Sequence, residues 1–286
     1  MIIPISDIHI DIPSTSVRVD GKKPTGHVAT EDEIRKLLPY DTTERHIFCF
    51  CGDIGERLLG VYYIMKVLEI FPNSEAVYVP GNHEFYGYNI DYAYADFNFV
   101  NETAERLHVL TGMSYDHCEI DGVVFVGGTL WTDFNKGNQE VMNLACTTMN
   151  DYIAIKSTSK NKPISPERIF NDHHVQRKNI FRTLNKVLKG DKPVIVVTHH
   201  RPILPECIYS PTEYFYSVDL KTELEELPRL PHYWLCGHHH RSIYKELRLT
   251  NGTMTVIENS VGYPSERTKT GFSNLCTLET AHLFDE

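Results

Sequence analysis

No apolar run in this chain approaches the length of a bilayer-crossing helix, so no membrane span and no membrane partner are expected. The start, Met1-Ile2-Ile3-Pro4-Ile5, lacks the basic segment of a secretory leader and reaches a candidate functional residue at Asp7, which argues against a cleaved signal peptide. Cysteine is sparse and unpaired. There are seven, an odd number without a C-x-x-C pair, and Cys49, Cys51 and Cys236 fall inside apolar runs, so a reducing, cytoplasmic compartment is expected. Positive charge is the minority sign: 28 Lys and Arg stand against 38 Asp and Glu, a net charge of −10. That excludes a broad basic surface for nucleic acid, although bound cations could still draw in a nucleotide. At 286 residues and 41% hydrophobic content, residues 1–286 are expected to form one domain.

What the chain does have is five short apolar runs that end alike. Ala76-Val77-Tyr78-Val79 reads as a buried strand, and Pro80-Gly81 then turns the chain so that Asn82 and His83 stand at its tip, with Glu84 next. Met1 to Ser6 stops at Asp7-Ile8-His9, His46 to Cys51 at Gly52-Asp53, Val194 to Thr198 at His199-His200, and Tyr233 to Cys236 at Gly237-His238-His239-His240. Open α/β sheets keep their chemistry at the carboxyl ends of strands, and in a parallel sheet these ends share one edge. Carboxylate, imidazole and amide oxygen are ligands for divalent transition metals, with no thiolate to suggest structural zinc. Asp7, His9, Asp53, Asn82, His199, His238 and His240 make seven donors, too many for one tetrahedral ion. Two ions sharing one carboxylate would use them all.

In this order, Asp-x-His, Gly-Asp, Gly-Asn-His-Glu, Thr-His-His and Gly-His-x-His resemble the calcineurin-like metallophosphoesterase superfamily. The motifs run from residue 7 to residue 240, and the combination is specific although each part alone is weak. The resemblance implies an α/β fold, a four-layer α/β/β/α sandwich of two mixed sheets flanked by helices, with a binuclear metal site. It implies that Asp7, His9, Asp53 and His240 hold one ion and Asp53, Asn82, His199 and His238 the other, with Asp53 as the bridge. It implies that His83 is the general acid or a transition-state stabiliser. It also points to Glu56, three residues after Asp53, as the partner of His83; a helix N-terminal carboxylate favoured by the dipole is an even alternative.

The ligand types suit the chemistry independently. Two ions roughly 3.5–4 Å apart can clamp a phosphoryl group and activate a water, and a histidine of ordinary pKa can protonate the departing oxygen. Mn²⁺ is expected first, and Fe, Zn²⁺, Ni²⁺ and Co²⁺ accept the same donors. At the second motif the Ser/Thr protein phosphatases of the superfamily carry Gly-Asp-x-Val-Asp-Arg-Gly, whereas this chain reads Gly52-Asp53-Ile54-Gly55-Glu56-Arg57-Leu58. A small phosphodiester, a nucleotide or cyclic nucleotide, is therefore the expected substrate. A phosphomonoester on the same site and a non-catalytic metal-binding scaffold are the alternatives. The terminal extension and capping domain of DNA-repair nucleases of this class are not expected.

Elsewhere the signals are weaker. Residues 11–30 read as a mobile loop in which Lys22 and Lys23 could reach a phosphate, and Asp11 as either a turn former or a partner for an imidazole. A helix from about Glu56 to Ile70 should bury Leu58, Leu59, Tyr62, Met65, Leu68 and Ile70, and another should span Asp91 to Leu107. One of Tyr88, Tyr92 and Tyr94 could line the substrate pocket, and Gly127-Gly128 followed by Trp131 could wall the cleft. Residues 135–163 read as a polar excursion beside the site. Ser165-Pro166-Glu167 opens a helix ending near Lys189-Gly190 that carries His173 and His174, with a role beside the metal open for one of them. Arg201 could steer a phosphate or form a surface ion pair, and the Tyr209–Tyr216 loop could stack a base or form a dimer contact. His239 should point away from its two neighbours, and Ile243 to Leu249 with Thr253 to Ile257 should form a hairpin. The tail from Val261 carries no signal.

Overall fold

The computed structural model describes residues 1–12, 29–157, 162–279 and 283. Most of the loop expected at 11–30, with Lys22 and Lys23, lies outside them. Strands β1 (Ile2–Ile5), β2 (Ile47–Phe50), β3 (Glu75–Tyr78) and β4 (Leu107–Val109) form one sheet in that order, with every ladder between them parallel. Strands β5 (His117–Ile120), β6 (Val123–Gly128), β7 (Val194–Thr198), β8 (Tyr233–Cys236), β9 (Ser242–Leu249) and β10 (Gly252–Asn259) form a mixed sheet in the order β5-β6-β7-β8-β10-β9. The expected hairpin is β9–β10, paired from Ser242–Asn259 to Leu249–Gly252.

Alternation along the strands builds the layers. Ile2, Ile47, Cys49, Val77, Phe125, Ile195, Val197, Leu235 and Ile257 face inward between the two sheets as one core. Their neighbours Ile3, Phe48, Phe50, Ala76 and Tyr78 face outward beneath helices α1 (Glu31–Leu37), α2 (Leu59–Ile70) and α3 (Ile90–Thr103). Val124, Val126, Val194, Val196 and Trp234 face the opposite way, under Ile180, Phe181 and Leu184 of the helix Pro166–Val187. The result is the α/β/β/α sandwich. Its first sheet is parallel rather than mixed, because α-helical crossovers join consecutive strands in it.

Several local expectations are corrected. Helix α2 starts at Leu59 and buries Gly60, Val61, Tyr63, Ile64, Val67 and Leu68, while Tyr62 and Met65 are exposed; the chain spends Asp53–Leu58 on irregular turns, which shifts the phase. Helix α3 stops at Thr103 so that Leu107–Val109 can pair with β3. The glycines before Trp131 serve packing: a Cβ on Gly127 would sit 2.1 Å from the Val197 carbonyl oxygen. Trp131 itself is 1% exposed and donates its indole N–H to the Tyr94 hydroxyl at 3.0 Å, so it is core and does not wall the cleft. His173 is buried with Nδ1 on the Leu130 carbonyl at 2.8 Å, bracing a segment in which Leu130 and Trp131 both have left-handed φ.

Candidate metal centre

The carboxyl ends of β1, β2 and β3 in one sheet, and of β7 and β8 in the other, meet at one rim. All seven expected donors converge there. Asp7, His9, Asp53 and His240 offer ligand atoms within 4.8 Å of one another, and so do Asp53, His199 and His238. Asn82 Oδ1 joins the second group, 3.0 Å from His199 Nε2. Asp53 belongs to both. Its Oδ2 is 3.9 Å from His9 Nε2, and its Oδ1 is 3.4 Å from His199 Nε2.

The backbone is bent to achieve this. Asp7, His9, Asp53, His238 and His240 all have φ between 50° and 75°. Left-handed backbone at a non-glycine residue costs about 1–3 kcal/mol and persists only where its surroundings enforce it. Two buried glutamates do so. Glu84 accepts hydrogen bonds from the amides of Asp53 (2.9 Å), Ile54 (2.7 Å), Gly55 (3.2 Å) and Gly81 (2.7 Å), tying the second motif to the third. Glu258, at the end of β10, accepts from the amides of His239 (3.1 Å) and Arg241 (3.4 Å) in the last motif. Gly81 is required by closeness: a Cβ there would fall 2.2 Å from Asp53 Oδ1.

The donors suit a cation. His199 gives Nδ1–H to the Cys51 carbonyl (2.8 Å) and His240 presents Nδ1 to Glu266 (2.7 Å), so each turns its Nε2 toward the centre. His240 Nε2 stands 3.0 Å from His9 Nε2, and His199 Nε2 stands 3.1 Å from His238 Nδ1. Each such pair of nitrogens shares a proton in the metal-free chain, and a cation between them would take that proton's place. The electrostatics agree: burial opposes charge on His240 and His199, yet Asp7 and Asp53 beside them push their pKa values up to about 9 and about 10. Burial likewise opposes charge on Asp7, but His240 brings it down to about 2. Asp7 and Asp53 draw positive charge into this rim.

His83 lies against the centre outside the two groups that share Asp53; with His9 and Asp11 it forms a third set whose ligand atoms lie within 4.8 Å of one another. Its amide donates to Asp53 Oδ1 at 2.9 Å; Nε2 is 3.1 Å from the Tyr263 hydroxyl and 3.9 Å from Asp53 Oδ2, and Nδ1 faces Asp11 Oδ2 at 3.6 Å. Burial works against its charge, but Asp53 and Asp11 raise its pKa to about 9. Asp11, two residues past His9, is thus a carboxylate facing this imidazole. Glu56 lines a neighbouring cavity with Tyr86, Gly87 and Lys156.

A cavity of about 380 Å³ opens over the centre, lined by Asp53, His83, Tyr86, Tyr216, His239 and Tyr263 among others. Tyr86 and Tyr216 fill the place expected for Tyr88, Tyr92 or Tyr94. His239 does turn from the ligand cluster, and reaches Glu213 at 3.1 Å on the cavity wall. The 135–163 excursion supplies Asp151, whose Oδ1 takes the Asn82 side-chain amide at 2.9 Å. Arg201 neither steers a phosphate nor lies at the surface: it is buried and paired with Glu258 at 2.6 Å. The tail from Val261 is not inert, since it contributes Tyr263 and Glu266. No periodicity marks either residue in the sequence.

Over 276 residues the chain is 26% identical to an uncharacterized protein of Acanthamoeba polyphaga mimivirus, covering 92% of this chain and 91% of that one. The crystal structure of a phosphopantetheinyl hydrolase from Mycobacterium tuberculosis superposes with a TM-score of 0.64 over 98% of this chain and 95% of its own, at 16% identity, and so shares the fold. The sequence model of the calcineurin-like phosphoesterases matches residues 2–242, and this chain therefore belongs to that family of metal-dependent phosphoester hydrolases.

Proposed function

We propose that the chain hydrolyses a small phosphodiester, a nucleotide or cyclic nucleotide, at a centre of two divalent cations. The observation that carries this reading is that Asp53 is common to the two clusters formed by Asp7, His9 and His240 and by His199 and His238. Asp7, His9, Asp53 and His240 would hold one cation, and Asp53, Asn82, His199 and His238 the other. When bound, such a pair neutralises phosphoryl oxygens and makes water acidic enough to attack at neutral pH. Manganese is the first candidate for an all O/N donor set in a cytoplasmic protein, and the buried free thiols of Cys49, Cys51 and Cys236 suit that reducing setting.

The remaining steps fall to the protein. His83 presents Nε2 toward Asp53 and gives its proton to the departing oxygen, while the Asp11 carboxylate 3.6 Å from Nδ1 favours the charged ring. The cavity has the volume of a small-ligand site, and the half-buried ring of Tyr216 in its wall is suited to pack against a base or other planar group.

Protein reconstituted with Mn²⁺ tests this on bis-p-nitrophenyl phosphate, p-nitrophenyl phosphate and cyclic nucleotides, beside elemental analysis. A phosphopantetheinyl ester belongs in the same screen, as the group named for the M. tuberculosis neighbour. The expected result is two metal ions per chain and diester turnover above monoester by roughly tenfold, a preference of about 1.4 kcal/mol in the transition state. A single ion per chain, or a fully loaded protein inert on every ester, would sink it.

A further inference from the structure

We propose that Tyr263 touches the substrate, its hydroxyl donating a hydrogen bond to the leaving-group oxygen of the phosphoester beside His83. The inference rests on the phosphodiesterase reading and adds to it a residue beyond the stretch that the family shares, 2–242.

The segment after β10 is built onto the metal rim. Val261 and Gly262 donate their amides to the carbonyls of Ser6 (3.0 Å) and Asp7 (2.9 Å), and Arg267 reaches the Ile8 carbonyl at 3.3 Å. Glu266 Oε2 receives the Tyr263 amide at 3.4 Å and meets His240 Nδ1 at 2.7 Å, so one carboxylate fixes both the tyrosine and a metal-facing histidine. The Tyr263 ring is thereby wedged over His9 (centroids 4.4 Å apart) and against His240 (4.5 Å). That leaves its hydroxyl in the cavity, 3.1 Å from the ring nitrogen of His83 that also looks toward Asp53. An oxygen that takes a proton from that nitrogen on the side of the phenol arrives within hydrogen-bond reach of it.

The step balances as ordinary hydrolysis. Water oxygen forms the new bond to phosphorus while the ester P–O bond breaks, its electron pair leaving on the ester oxygen. That oxygen takes the proton of His83 Nε2, and the proton released by the water restores the imidazole. Tyr263 keeps its own proton and lends only the hydrogen bond.

Tyr263→Phe removes the hydroxyl alone. Bis-p-nitrophenyl phosphate has a leaving group that departs with little help, whereas diphenyl phosphate expels a more basic phenolate. With Mn²⁺ bound, the variant should lose about 10- to 100-fold in kcat on diphenyl phosphate and less than about threefold on the nitrophenyl ester, as for a donor acting on the leaving oxygen. Metal content and thermal midpoint should match the wild type. Equal losses on the two esters, unchanged rates on both, or a fall in metal content would each overturn the inference while leaving the phosphodiesterase reading intact. A wild type inert on both esters would overturn that reading and this inference together.

Discussion

Asp151 Oδ1 accepts the side-chain amide of Asn82 at 2.9 Å, which turns the Asn82 oxygen toward His199 Nε2, 3.0 Å away. The same Asp151 oxygen accepts the Tyr86 hydroxyl at 2.7 Å, so the carboxylate is held by the cavity wall as well. An asparagine is turned to offer a cation its oxygen when its nitrogen has partners elsewhere, and Asp151 is the nearer of two here, the other being the Tyr86 hydroxyl at 3.2 Å. Asp151→Ala should therefore weaken one of two Mn²⁺ binding events by about 10- to 100-fold while sparing the other. Calorimetric titration of the metal-free protein would resolve the two, and two unchanged affinities would refute the role.

Glu84 carries four backbone amides on two oxygens. Glu84→Gln replaces one acceptor oxygen with an NH₂ that faces N–H groups, leaving buried donors unsatisfied at about 1–3 kcal/mol each. A loss of about 3–5 kcal/mol is expected, or roughly 10 °C in the thermal midpoint at this chain length. Thermal unfolding of the metal-free variant measures it. A midpoint within experimental error of the wild type would mean that the left-handed turn at Asp53 does not depend on this carboxylate.

Much of that arrangement was legible in the chain. The strand-end motifs picked out seven side chains that converge, because each lies within four residues of the end of an apolar run and neighbouring parallel strands end at a common rim. The residues that aim those donors were harder to read. Asp151 and Glu266 come from polar segments with no repeating pattern, 69 and 26 residues from the side chains they hold, and only folding makes them neighbours. Asp11 carried a faint signal in its spacing from His9. Trp131 misled for a physical reason: two glycines signal close approach without saying by what, and here the neighbours are the backbone of β7 for Gly127 and that of Thr111 and Gly112 for Gly128.

The burial of Arg201 gives a prediction opposite to a phosphate-steering role. It pairs with Glu258 at 2.6 Å, and Glu258 Oε1 supports the amides of His239 and Arg241. Arg201→Met should destabilise the protein by about 3–5 kcal/mol, because it strands a buried carboxylate. The double variant Arg201→Met with Glu258→Gln should recover part of that loss. KM for a diester should stay within about twofold of wild type, since uniform substrate binding is untouched. A rise in KM without a loss of stability would restore the steering role.

His173 makes a pH prediction. Burial holds its pKa down to about 3, while Nδ1 stays on the Leu130 carbonyl. In the unfolded chain the same imidazole titrates near 6.5, so between about pH 6.5 and 3 the unfolded state binds a proton that the folded state refuses. Its contribution to stability is full above pH 6.5 and is lost as the pH falls, at up to about 1.4 kcal/mol per pH unit. His173→Gln keeps a donor for Leu130 and removes the titration. Urea unfolding of the metal-free proteins from pH 7.5 down to 4.5 should then give a flatter stability curve for the variant, by close to one proton, although other buried histidines keep a slope in both. Parallel curves would show that His173 is not held neutral in the folded chain, and the left-handed turn at Leu130 and Trp131 would need another explanation.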